Sequence, residues 1–254
     1  MENLTHYPLL LSTAVFVALW LASLVGSWMR RRSPKPADEQ TEDLGVILGA
    51  TLTLLALIIG FSVSMASSRY DQRKSLEEAE ANAIGTEIMR ADLLPPADAA
   101  KVQALLGGYL DQRILFYINR DDTQRMQIDK LTNQLQADLW AAVRAPAMAE
   151  PTPVAALVLA GMNDVINSQG YTQAAFWNRI PQAAWWLMVA IALCSNVLFG
   201  YRSRSGMSAR KIALVLPFLV SIAFLLIADI DAPRHGLIHV SPQNLESLAK
   251  SIGR

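Results

Sequence analysis

The sequence predicts an all-α membrane protein: four transmembrane helices with a helical extramembrane domain inserted between the second and third spans. Three observations lead there. Stretches 9–29, 44–68, 180–201 and 212–228 contain no Asp, Glu, Lys or Arg. The 22 basic and 22 acidic residues are crowded into the remainder, at roughly the one-in-four density of an ordinary soluble domain. No segment shows the period-two alternation of a half-buried strand.

A bilayer core about 30 Å thick needs roughly 20 apolar residues of helix. The first three runs reach that length, and the fourth does so only by extending to about Ile230, past Asp229. Met1 to Pro8 carries no Lys or Arg, and Arg30-Arg31-Arg32 follows the first run. That is the pattern of a retained helix, not of a cleaved leader with a basic start. Trp20, Trp28, Trp177, Trp185 and Trp186 lie in or beside the runs, where an interfacial aromatic belt is expected. These runs divide the chain into 1–68 (two spans and a short loop), 69–179 (the extramembrane domain), 180–230 (two spans) and 231–254 (a tail).

Orientation follows from basic residues in short loops. Arg30, Arg31, Arg32 and Lys35 lie in one, and Arg202, Arg204, Arg210 and Lys211 in the other. Both loops are expected on the cytoplasmic side of a bacterial inner membrane, with the N-terminus and the helical domain facing the periplasm.

Within the domain, Arg69 to Leu93 is rich in Ala and Glu and continues the second span until Pro95-Pro96 stops it. A helix from Asp98 shows Val102, Leu106, Leu110, Ile114 and Tyr117 at i+3/i+4 spacing. Asp121-Asp122 opens the next, where negative charge favours a helix start; its stripe is Ile128, Leu131, Leu135, Leu139 and Ala142. Thr152 then caps a helix with Pro153 at its first position. That helix is expected to run to about Ser168, with Gly170 separating it from the segment that leads into the third span.

Little of this suggests chemistry. The single Cys194 lies inside an apolar run, which excludes a disulfide scaffold. Balanced charge argues against nucleic acid as a partner. The histidines are His6, His235 and His239, and Gly236 separates the last two. No carboxylate cluster stands at ligand spacing. Phosphate-cradling and nucleophile motifs are missing, and Gly107-Gly108 reads as a packing feature. No catalytic residue, metal or cofactor is predicted, and the chain is not expected to be an enzyme.

The second span is more informative. Gly45, Gly49, Thr53, Ala56, Gly60, Ser64 and Ser67 recur at three- and four-residue spacing, within a face about 100° wide. Such a face either lets helices approach closely or lines a pore with reachable backbone and hydroxyls. The spans' lack of charge disfavours a proton-coupled transporter. Beyond the span, charge is dense: Arg69, Asp71, Arg73, Lys74, Glu77, Glu78, Glu80, Glu87, Arg90 and Asp92. This is either a solvated helix face or the charged vestibule of a pore. At the end of the fourth run, Asp229 and Asp231 are expected to need a basic partner, with Arg69, Arg73 and Lys74 better placed than Arg234.

Two segments carry a family resemblance. One runs from Ala66-Ser67-Ser68-Arg69-Tyr70-Asp71 through Glu80-Ala81-Asn82-Ala83-Ile84-Gly85-Thr86 to Arg90-Ala91-Asp92-Leu93-Leu94-Pro95. The other is Asp229-Ile230-Asp231-Ala232-Pro233-Arg234-His235-Gly236-Leu237-Ile238-His239-Val240-Ser241-Pro242. In identity, order and spacing they resemble the bestrophin-like membrane family, over about residues 45 to 248. The resemblance marks Arg69, Asp71, Glu80, Asn82, Arg90, Asp92, Asp229 and Asp231 as motif positions. It implies a homo-oligomer in the lipid bilayer that passes chloride or other small anions, its second helix lining the pore. Bestrophins place bulky apolar and aromatic side chains on that helix and hold their domains in the cytosol. Here only Phe61 is aromatic, and the loop charges put the domain outside. A non-conducting scaffold or envelope sensor, acting through the helical domain, stands as the alternative.

Overall fold

The computed structural model describes residues 7–32, 41–203, 214–234 and 236–254. Lys35, Arg204, Arg210 and Lys211, on which the orientation argument drew, lie outside these residues, as do His6 and His235. The described residues form eight helices and no strand: α1 (Pro8–Arg32), α2 (Thr41–Ala91), α3 (Pro96–Ile118), α4 (Asp122–Ala149), α5 (Pro153–Trp177), α6 (Gln182–Arg202), α7 (Val215–Asp231) and α8 (Gln243–Ser251).

The chain divides into two compact units. One comprises 1–69 and 179–239, the other 70–178 and 240–254. In the first unit α1 packs against α6 and α7. Leu11, Val15 and Leu19 of α1 are buried with Trp185, Met188 and Ala192 of α6 and Val220, Phe224 and Ile227 of α7. The α1–α6 crossing is close because two glycines permit it. A Cβ on Gly26 would strike the Val197 carbonyl, and one on Gly200 would strike the Ser23 carbonyl. Small residues are what let helix backbones meet where lipid offers no hydrophobic drive. Among the described residues, α1, the membrane part of α2 and an apolar stretch within 153–202 are long and apolar enough to cross a bilayer. The 17 residues of α7 rise about 26 Å, slightly short of a hydrocarbon core.

In the second unit the caps fall where the sequence places them. Thr152 accepts from Ala155 N at 3.1 Å, and Asp121 accepts from Thr123 N at 2.8 Å. Each satisfies one of the amides a helix start leaves unpaired. Three details differ from the sequence reading. α5 does not end near Ser168 but continues through Gly170 to Trp177; space around Gly170 is open, and one glycine costs a helix only about 1 kcal/mol. Leu131 is 46% exposed instead of joining the α4 core stripe. The segment from Val240 belongs to the helical unit, where α8 lies against α3.

Candidate functional site: the two halves of the second helix

α2 runs without interruption for 51 residues, and its two halves present different chemistry. In its apolar part the seam facing its own unit is Leu48, Leu55, Ser62 and Ala66, all buried. Every small-stripe residue except half-buried Gly45 is exposed: Gly49, Thr53, Ala56, Gly60, Ser64 and Ser67. At 100° per residue this stripe is centred about 120° from the seam. A third face, of Ile47, Leu54, Phe61 and Met65, is exposed as well. Only 11% of an 18-residue apolar stretch of this half is buried, against 33% for α1. Nothing lies within 4 Å of a Cβ added at Gly49 or Gly60, whereas the Arg202 side chain covers Gly45. From Gly49 onward the stripe therefore packs no helix of its own unit. Thr53 donates its hydroxyl proton to Gly49 O at 2.9 Å, so it presents lone pairs outward and not a donor.

The second half overturns the vestibule and solvated-face readings for its central charges. Arg73, Glu77, Glu80 and Glu87 are each at most 1% exposed. Together with Ile84 and Ala91 they repeat at four- and three-residue intervals, so they occupy one helix face. Each of the first three fastens another element. The guanidinium of Arg73 donates to Ala175 O and Asn178 O, both at 3.2 Å, which places a cation on the carbonyls ending α5. Glu77 accepts from Asn244 N and Leu245 N at 3.0 Å and from Asn244 Nδ2 at 2.6 Å, capping α8 at its negative-seeking end. Glu80 forms a buried ion pair with Arg113 of α3. Its Oε2 also accepts from Thr172 at 3.2 Å and Tyr117 at 3.4 Å.

Burial, the largest single influence, pushes the Arg113 pKa down, but the Glu80 charge and its hydrogen bond, together with Tyr109 and Tyr117, outweigh it and the net direction is upward. The Tyr109 and Tyr117 hydroxyls are pushed up, first by burial and then by the Glu80 charge. They stay protonated and able to donate.

Glu87 differs. Neither of its oxygens has a hydrogen-bond partner, and Arg90 Nη1 stands 3.8 Å away. It rests against Gly161 of α5, where a side chain would collide with it. Burial, partly offset by Arg90 and reinforced by Asp164, raises its pKa to about 7.

The remaining motif positions scatter. Asp71 and Asn82 are exposed, Arg69 and Arg90 half-buried, and Asp92 accepts from Gln103 at 2.8 Å. Asp229 is held by main chain and not by a basic side chain: it accepts from Leu237 N at 2.7 Å and Ile238 N at 2.9 Å, closing the turn after α7. Asp231 accepts from Ile180 N at 3.1 Å, and the Arg179 charge acts on it. For Asp229 the expected basic partner on the long helix is therefore replaced by a local turn. Hydrogen bonds from backbone amides to a carboxylate are charge-assisted, and they require no second long side chain to be fixed.

Sequence reasoning missed Gly26, Gly200 and Arg113. Arg113 sits between Leu110 and Tyr117 at helical spacing, which was the available signal for a buried cation. Among the described residues no cluster of ligating side chains could hold a metal ion.

A model of the Bestrophin-like domain matches residues 16–245. The chain belongs to the Bestrophin-like family. Solved structures agree in fold. A single-substitution variant of a bacterial Bestrophin homolog from Klebsiella pneumoniae has a TM-score of 0.66 at 12% identity, covering 96% of this chain and 99% of that one. A second such variant scores 0.65 at 12% identity, covering 94% and 96%. The homolog phased with zinc scores 0.64 at 13% identity, covering 94% and 95%. At these identities the likeness is one of fold. No curated protein matches the chain. The protein is thus a membrane protein of the Bestrophin-like family, with an all-helical bestrophin fold.

Proposed function

We propose that this protein is a subunit of a homo-oligomeric channel for chloride or other small anions, with four spans per subunit and α2 lining the pathway. The observation that carries this reading is the exposure of α2. An apolar helix half with only 11% of its 18-residue apolar stretch buried and two uncovered faces is completed by further copies around an axis. The small stripe from Gly49 to Ser67 then faces the axis and keeps the lumen open, while the Ile47–Met65 face meets a neighbour or lipid. The chain performs no bond chemistry in this reading.

The test is chloride efflux from liposomes holding the purified protein, with Gly49→Leu and Gly60→Leu as probes. Normal assembly with reduced flux supports a lining role. Loss of the oligomer assigns the stripe to helix packing between subunits, and unchanged flux with intact assembly rejects both.

The orientation proposed is the one the arginines favour. Arg30 of α1 donates to Tyr201 O at 3.2 Å and Arg202 covers Gly45, so the basic ends of α1 and α6 share one membrane edge with the start of α2. That edge is cytoplasmic by the positive-inside rule, and the helical domain is periplasmic in an inner-membrane setting. In a Cys194→Ser background, Asn133→Cys is labelled from outside spheroplasts and Arg31→Cys is protected; the reverse pattern refutes this placement.

One observation favours the alternative of an interaction protein. The helical unit exposes Met89, Met126 and Met148 at 67%, 68% and 77%, and flexible thioethers suit adaptable protein contacts. Absence of flux from well-assembled protein would leave that reading.

A further inference from the structure

At the arginine-bearing edge of the first unit lies a cleft of about 420 Å³, lined by Met29, Asp43, Leu44, Val197, Leu198 and Tyr201. Its walls come from the end of α1, the start of α2 and the end of α6. Four of the six lining residues, Met29, Leu44, Val197 and Leu198, are apolar. Two arginines flank it: Arg30 reaches Tyr201 O at 3.2 Å, and the Arg202 guanidinium lies over Gly45, next in the chain to Leu44. Gly45 is what admits that guanidinium, since a Cβ there would collide with it. Arg31 and Arg32 follow in the last turn of α1, with Arg32 over the Trp28 ring at 4.0 Å.

We propose that this cleft binds one membrane phospholipid with a net-negative headgroup, its acyl chain between the three helix ends and its phosphate on Arg30 and Arg202. The volume is within the range of a small-molecule site and holds part of one chain, not a whole lipid. Three helices that end together at a membrane surface place the apolar portion at acyl depth and the arginines at headgroup depth, where basic residues attract anionic lipids. Charge complementarity therefore selects a lipid over a neutral amphiphile, and the apolar lining selects a lipid over free phosphate. Asp43 adds a requirement. A carboxylate in the lining repels a second phosphate but accepts from hydroxyls, so a glycerol headgroup fits better than one offering only phosphate oxygens. The proposal rests on reading α1, α2 and α6 as membrane helices, and it holds whether or not the protein conducts.

The test uses the full-length protein in a neutral detergent, with native mass spectrometry and thermal stability read against added phosphatidylglycerol or phosphatidylcholine. Wild-type protein is expected to retain phosphatidylglycerol preferentially and to melt higher with it. Arg202→Gln should lower the preference about fivefold, and Arg30→Gln similarly. Leu198→Trp, or Leu44→Trp from another helix, fills the cleft and should abolish retention of both lipids while melting without lipid stays near wild type. Equal retention of the two lipids, or an undiminished preference in both arginine variants, overturns the proposal. So does full competition by inorganic phosphate. If Leu198→Trp and Leu44→Trp dissociate the oligomer and leave lipid retention intact, a second copy occupies the cleft and the lipid reading fails.

Discussion

Glu80→Gln isolates the question of what the charges on the long helix do. Glu80 and Arg113 are both fully buried. Removing the carboxylate's charge leaves the guanidinium with a neutral amide in place of its ion-pair partner. Breaking a buried pair from one side costs about 3–5 kcal/mol; the amide oxygen still accepts one hydrogen bond, so the lower end, about 3 kcal/mol, is expected. The helical unit holds about 120 residues, and at about 2.1 cal/mol/K per residue its unfolding entropy is roughly 250 cal/mol/K. The melting point of that unit should therefore fall by about 12 °C. The assay is thermal unfolding in detergent, paired with hydrogen exchange of α3 amides, which reports that region by itself. Arg113→Met in the Glu80→Gln background removes the stranded cation and should recover all but about 1.5 kcal/mol, because replacing both members of a buried pair with neutral groups is often nearly neutral. A Glu80→Gln protein that melts within 2 °C of wild type but passes less chloride would refute the reasoning and restore the vestibule reading.

The raised pKa of Glu87, about 7 against an ordinary 4.5, means that the folded protein holds this proton where the unfolded chain has released it. The associated stability is complete below about pH 4.5 and is lost as pH rises through about 7, by about 1–2 kcal/mol once screening is allowed for; Glu87→Gln should flatten that part of a melting-versus-pH curve. Gly200→Ala drives a Cβ into the Ser23 carbonyl and should cost about 1–3 kcal/mol, while Gly49→Ala, with open space around it, should leave melting unchanged. Glu77→Ala strips the cap from α8, and α8 amides should exchange faster before the rest of the unit does, at a cost of about 1–2 kcal/mol.

The sequence by itself determined the features that local chemistry dictates. Charge-free runs of bilayer length specify membrane helices because an unsatisfied backbone cannot cross hydrocarbon in any other open form. Thr152-Pro153 and Asp121 specify helix starts because a capping oxygen and a fixed φ act within three residues. The small stripe of α2 was legible as a face because 100° per residue is set by backbone geometry alone. Its direction was not. Whether that face met a partner depended on where α1, α6 and α7 lay, and beyond Gly45 the tertiary structure turns it away from all three. Tertiary structure also decided the fate of the charges. Arg73, Glu77, Glu80 and Glu87 share a helical period with Ile84 and Ala91, but a charged position has the same spacing whether water or a partner satisfies it. For the first three the partners are Asn178, Asn244 and Arg113, from 33 to 167 residues away in the chain. Only packing brings them near, and only that packing makes burial of a charge tolerable. Asp229 shows the same limit at short range: its partners are amides eight and nine residues on, and a turn had to close before they could point at it.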